Sequence, residues 1–208
     1  MHYKSKQRQM KEFITSLFYT DVPFFRGSVT TLAGPQFRRV VDLFKHLEPD
    51  AINVYETCPR TFEKQVKDKY TYYPDDNINL HFDDVLNAPV TEFIDADLMS
   101  TFKSDGKIIE KLFKRQVKMQ HAQTKVFVGT VSLRKTPRVD VIDWLNQLIS
   151  LVDKEALVDK EEIEYKKSEG PLIFLQKHKT LHSSKIEAFE AFTYSDKEGL
   201  MFTFRIIY

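Results

Sequence analysis

Val29-Thr-Thr-Leu-Ala-Gly-Pro35 decides how this chain folds. A β-prone run stops at a Gly-Pro step, and Gln36 to Leu47 then repeats apolar residues at helical spacing, with Phe37, Val40, Val41 and Phe44 inward. A strand over 28–33 therefore feeds a helix through one tight turn. Glu48-Pro-Asp50 closes that helix, and a second apolar run follows at once, Ala51-Ile-Asn-Val-Tyr-Glu56. Strand, helix and strand with short connections form the unit of a parallel sheet.

The alternation continues outward from that unit. Pro59 opens a helix to about Tyr70, with Phe62 and Val66 inward. Residues 78–82 read as a third strand, and Val90 to Leu98 as a fourth with Pro89 at its entry. Lys107 to about His121 is helical, with Ile108, Leu112, Phe113 and Met119 as its apolar set. Lys125 to Leu133 is a fifth strand, apolar enough for the centre of a sheet. Pro137 opens another helix, in which Trp144 joins Val141, Leu145 and Leu148 as core. Two apolar runs, 188–194 and 200–208, flank Ser195-Asp-Lys-Glu-Gly199 and read as a β-hairpin.

At the other end, residues 4–19 place Met10, Phe13, Ile14, Leu17 and Phe18 on one helical face, opposite Lys4, Lys6, Arg8 and Lys11. Residues 153–169 are net acidic and read as a solvated helix or an insertion. The expectation is one α/β domain over 1–208, with an amphipathic helix in 1–24, a charged segment in 153–186 and a terminal hairpin in 187–208.

Composition narrows the class. The 208 residues suffice for one substantial core. A net charge of +1 offers no overall steering field, so any basic surface is local. Cys58 is the lone cysteine, which excludes a disulfide framework and fits a reducing compartment. The polar start, Met1-His-Tyr-Lys-Ser-Lys, lacks the apolar region of a signal peptide, and no apolar run approaches membrane-spanning length. A cytoplasmic protein is expected.

Acidic residues gather at the carboxyl ends of the expected strands, where open α/β sheets bind ligands. Glu56 ends the second strand, Asp83 and Asp84 follow the third, and Asp95 and Asp97 alternate on one face of the fourth. Each has a bland reading beside the functional one. Gly34-Pro35 serves as a plain strand-to-helix turn or as a ligand loop; Glu56 favours a helix N-terminus or holds ribose hydroxyls; Asp84 caps a turn or meets a base. Two carboxylates on one strand face rarely serve packing, since burying them is costly.

In its order of elements, over roughly residues 25–208, the chain resembles a class I S-adenosylmethionine-dependent methyltransferase, in a short form found in viruses and microbes. The resemblance rests on Leu32-Ala-Gly-Pro35, Glu56, Asp84, Phe93-Ile-Asp-Ala-Asp-Leu98 and the closing hairpin. It implies a three-layer Rossmann-like fold, a mostly parallel seven-stranded sheet ending in an antiparallel hairpin. It implies S-adenosylmethionine as cofactor, held by Leu32, Ala33, Gly34 and Pro35, by Glu56 at the ribose and by Asp84 at the adenine amine, with Asp95 and Asp97 at the transferable methyl. The first loop departs from the family's acid and several glycines, offering Thr30, Thr31 and Pro35 instead. Asp95-Ala-Asp-Leu98 lacks the Pro-Pro-aromatic signature of amino-methylating DNA enzymes, and Cys58 is misplaced for cytosine-C5 chemistry.

A basic rim suggests nucleic acid as partner, through Lys111, Lys114, Arg115 and Lys118 and through Arg134, Lys135 and Arg138 after the fifth strand; lysines on an exposed helix are its bland reading. His178 and His182 have metal-ligand spacing only if helical, and solvated histidines are the simpler reading. The alternative to an enzyme is a Rossmann-like protein that has lost its cofactor and binds nucleic acid or protein. A nicotinamide enzyme is disfavoured by the missing glycine triplet and the terminal hairpin.

Overall fold

The computed structural model describes residues 18–19, 22, 26–98, 102–119, 124–133, 138–158, 176–178, 180–181, 183–196 and 199–208. Five parallel strands come first: β1 (Ser28–Thr31), β2 (Ala51–Tyr55), β3 (Ile78–His81), β4 (Phe93–Asp97) and β5 (Val126–Ser132). Between and after them run α1 (Phe37–Lys45), α2 (Pro59–Tyr72), α3 (Phe102–Val117) and α4 (Arg138–Ile149). The chain then forms β6 (Leu157–Val158), β7 (Gln176–His178), β8 (Thr180–Leu181), β9 (Ala188–Asp196) and β10 (Gly199–Ile207). The main sheet has the order β3-β2-β1-β4-β5-β10-β9-β7. β10 is inserted antiparallel between β5 and β9, as the terminal hairpin requires. This is the expected three-layer Rossmann-like arrangement.

Alternation along the strands divides the core between two faces. Ile94 and Ala96 of β4, with Phe127 of β5 and Phe204 of β10, pack with Ile109 and Phe113 of α3 and Leu145 of α4. Phe93, Val126 and Val128 point the other way, towards Phe37, Val41 and Phe44 of α1. Asp95 and Asp97 share the parity of Phe93 and so belong to the α1 face. Gly129 lies opposite Phe204 in the β5–β10 ladder, and a Cβ there would stand 2.6 Å from the Phe204 ring. Only a glycine lets that ring lie across the strand.

Several expected boundaries shift. α3 starts at Phe102, before Lys107, and ends at Val117. Phe102 meets Trp144 edge-on at 5.2 Å, and buried Asp105 and Gly106 extend the packed face by a turn that apolar periodicity does not show. β4 begins at Phe93 and not at Val90. On α2 the buried residue is Gln65, while Phe62 and Val66 are half-buried. Among the described residues the main sheet has eight strands, because β7 adds an antiparallel edge to β9. His178 therefore lies in a strand, and His182 is outside the described residues.

The terminal strands continue to Asp196 and resume at Gly199, a tighter connection than the five residues expected. Leu157–Val158 form strand and not helix; residues 159–175 of the acidic stretch lie outside the described residues. Of residues 4–19, where an N-terminal helix is expected, only Phe18 and Tyr19 are among the described residues. No described helix is long and apolar enough to cross a membrane.

Candidate functional site

The carboxyl ends of β3, β2, β1 and β4 lie side by side along one edge, and backbone hydrogen bonds lace their tips together. The Glu56 amide donates to the His81 carbonyl at 3.0 Å, joining β2 to β3. The Leu32 amide donates to the Asp95 carbonyl at 3.3 Å, joining β1 to β4. The Leu98 amide donates to the Thr130 carbonyl at 3.1 Å, joining β4 to β5. Asp84, Glu56, Gly34 and Asp97 thus follow neighbouring strands in that order. Three strand spacings separate the first tip from the last, about 14 Å. The structure brings the expected site residues to one edge.

At the β1 tip, Ala33 is right-handed helical and Gly34 is left-handed, with φ at +50°. Such a pair turns successive amides towards one concavity, which suits an anion. Among the described residues neither the Ala33 nor the Gly34 amide finds an acceptor. A Cβ on Gly34 would meet nothing within 4 Å, so the loop's outer side is open. Pro35 supplies no third amide but presets the turn that leads into α1. Gln65 of α2 fixes the loop from behind: its Nε2 donates to the Gly34 carbonyl at 2.8 Å.

The acids at β2 and β3 also serve the scaffold. Glu56 Oε1 accepts the Cys58 amide at 2.8 Å, satisfying a donor at the start of α2. Asp84 Oδ1 accepts the Leu86 amide at 2.9 Å and caps a short 3₁₀ turn, Val85–Asn87. Asp83 Oδ1 accepts from the Asp84 amide and from Asn87 Nδ2; the Asn87 bond, with the amide second, holds the Asp83 carboxyl below its ordinary range. Each capping bond uses one oxygen and leaves the carboxylate exposed or half-exposed. Phe82 immediately precedes Asp83 and Asp84, 55% exposed, its ring 5.3 Å from Phe62.

At β4 the two carboxylates diverge. Asp95 is buried, and its Oδ2 accepts the Thr31 hydroxyl at 2.8 Å. The Tyr19 hydroxyl also hydrogen-bonds Asp95. Burial, then the charges of Asp95 and Asp97, keep that phenol well above its ordinary pKa and therefore neutral. Tyr19 stacks on Phe93 at 5.8 Å and meets Phe44 edge-on at 4.9 Å. Asp97, two residues further out, is half-buried at the rim. Asp95 is thus buried between β1 and β4, while Asp97 is only half-buried.

Exposed Cys58 stands just before α2, and the Thr61 hydroxyl and amide hold its thiol below the ordinary value. On α3, Lys111 is exposed, Lys114 pairs with Glu110, and Arg115 donates to the Leu86 and Ala88 carbonyls; Lys118, exposed, lies in the turn just after the helix. Arg134 and Lys135, and the Arg138 side chain, lie outside the description. Among the described residues no group of three or more His, Cys, Asp or Glu is placed to hold a metal.

Tyr19 and Gln65 are absent from the sequence reading. Tyr19 adjoins the apolar face assigned to the N-terminal helix, and Gln65 falls three residues after Phe62 on the inward side of α2. Helical spacing was the available signal for both.

No family model matches the chain, and no curated protein matches it. Solved structures do. N-methyltransferase NodS from Bradyrhizobium japonicum WM9 aligns with a TM-score of 0.54 at 10% identity, over 96% of this chain and 94% of that one. Precorrin-6y C5,15-methyltransferase from Geobacter metallireducens GS-15 aligns with 0.53 at 9% identity, over 95% and 87%. P. horikoshii TYW2, solved in complex with MeSAdo, aligns with 0.52 at 11% identity, over 93% and 61%. At these identities the likeness is one of fold: the chain has the Rossmann-like methyltransferase fold.

Proposed function

We propose that the chain is an S-adenosylmethionine-dependent methyltransferase, a short member of the class I superfamily acting in the cytoplasm. The observation that carries the reading is the order of groups along one sheet edge: Asp84, Glu56, the Gly34 loop and Asp97. Their chemistry fits the parts of the cofactor in sequence. Asp84 accepts the adenine amine beside the exposed Phe82 ring, Glu56 accepts the ribose hydroxyls, and the Ala33 and Gly34 amides take the carboxylate. When bound, S-adenosylmethionine supplies an activated methyl group with its leaving group built in. The protein then aligns an acceptor and excludes water. Asp97 takes the proton that an amine or hydroxyl acceptor gives up.

Nucleic acid remains the leading acceptor, with the exposed Lys111 of α3 and Lys118 just beyond it as its phosphate contacts. The fold neighbours include a protein solved with MeSAdo, which supports an adenosine-type ligand at this edge. A second reading has its own observation. Glu56 and Asp84 each spend an oxygen on a backbone amide, as they would in a scaffold without cofactor. Isothermal titration of the folded protein with S-adenosylhomocysteine separates the two. Saturable binding that weakens about tenfold in Glu56→Ala, the worth of hydrogen bonds to a charged group, supports the enzyme. Absence of heat with both S-adenosylhomocysteine and S-adenosylmethionine selects the scaffold.

A further inference from the structure

The turn that carries Asp84 is held from outside as well as from within. Inside it, Asp83 and Asp84 accept the Asp84 and Leu86 amides at 2.7 and 2.9 Å, and these bonds are exposed to water. From outside, α3 presents Arg115, whose Nη1 donates to the Leu86 carbonyl at 2.7 Å while Nη2 donates to the Ala88 carbonyl. Beneath the turn, Val85 and Ala88 are buried in the core shared with α3. Leu86 is the hinge of this arrangement. Its carbonyl meets Arg115, and its amide fixes the Asp84 carboxylate. A planar fork spans two carbonyls at set spacing; a lysine ammonium offers a single point.

The same guanidinium acts on Tyr55, the last residue of β2, opposing the rise in its phenol pKa that burial and then Asp83 cause. One cation therefore holds the turn after β3 and also acts on the phenol at the end of β2. We propose that Arg115 is the positioning residue that sets the site's selectivity for an adenine base. It holds the Leu86–Ala88 backbone so that the Asp84 carboxylate faces the exocyclic amine. This inference rests on the cofactor reading above. It also gives Arg115 a role distinct from phosphate contact, since two of its donors are engaged on the turn.

The test compares S-adenosylhomocysteine with S-inosylhomocysteine, in which oxygen replaces the 6-amino group, by isothermal titration. The native protein favours the adenine compound about tenfold, the worth of one hydrogen bond to an exposed carboxylate. In Arg115→Met that ratio collapses towards one, because the adenine compound weakens and the inosine compound does not. Arg115→Lys, which keeps the charge and stem for folding, restores only part of it. A ratio that survives in both variants overturns the proposal. So does an equal loss for both compounds, which would mark Arg115 as a general support of the fold. If the native protein binds neither compound, the cofactor reading itself fails; if it binds both and the ratio is indifferent to Arg115, only this inference does.

Discussion

At the scale of single residues, the two β4 acids differ by burial. Asp95 is 4% exposed and receives hydroxyl hydrogen bonds from Thr31 and Tyr19. A buried carboxylate with donors on it is stable in place. Its work is to tie β1 and the Phe18–Tyr19 segment to β4. Asp95→Ala strands two hydroxyls beside an apolar wall of Phe44 and Phe93. The expected loss is about 1–3 kcal/mol, read as a lower urea midpoint at unchanged slope. A midpoint equal to that of the native protein would remove that tie. Gly34 shows the opposite economy: at φ +50°, with open space beyond it, the residue is chosen for its backbone and not for packing.

At the scale of elements, the β5–β10 pair is tightly fitted. Gly129 accepts the Phe204 ring across its face, and that ring is enclosed by Phe127, Phe202 and Trp144. With no room for the ring to withdraw, Gly129→Ala overpacks the sheet centre at a cost of about 1–3 kcal/mol. Thermal unfolding checks this, and a variant as stable as the native protein would show that the ring moves aside freely.

The β5–β10 pair also shows what the sequence makes legible. Apolar runs, Pro and Gly punctuation, and the switch between two- and 3.6-residue periods are local, so β1 to β5, the helices between them and the closing hairpin are readable. Polar groups that enter the core are not. Gln116 is buried because its Nε2 donates to the Thr91, Glu92 and Val126 carbonyls and its Oε1 accepts the Tyr208 hydroxyl. Those partners come from three distant stretches, and no window on α3 contains them. Gln65 and Asp95 are hidden for the same reason. β7 is a three-residue edge whose pairing with β9 depends on tertiary position and not on its own composition. At the site, the positions of the strand-tip acids follow from topology and are legible; their capping bonds, which depend on side-chain rotamers, are not.

At the scale of the whole molecule, one buried cation links the last strands to the candidate site. Arg205 of β10 is 3% exposed. Its Nη1 donates to the Phe18 carbonyl at 3.1 Å, and its Nη2 pairs with Glu190 of β9 at 2.6 Å. The guanidinium also lies 5.6 Å from the centre of the Phe18 ring, which packs on Phe192. Phe18 precedes Tyr19, and Tyr19 reaches Asp95 at the tip of β4. The Phe18–Tyr19 segment is thus held at Phe18 by the final strand and at Tyr19 by Asp95. Arg205→Met keeps the stem but leaves Glu190 and the Phe18 carbonyl without that donor. Removing one partner of a buried pair costs more than the pair contributes, here about 2–4 kcal/mol with Glu190 partly solvated. Because the segment is held at two points, amide exchange at Phe18 and Tyr19 rises in both Arg205→Met and Asp95→Ala, although the two substitutions lie on different strands. Hydrogen-exchange mass spectrometry of the peptide spanning these residues measures it. Native-like protection in either variant would mean that the segment is held by apolar contact alone, and that Tyr19 reports nothing of the sheet's far edge to the site.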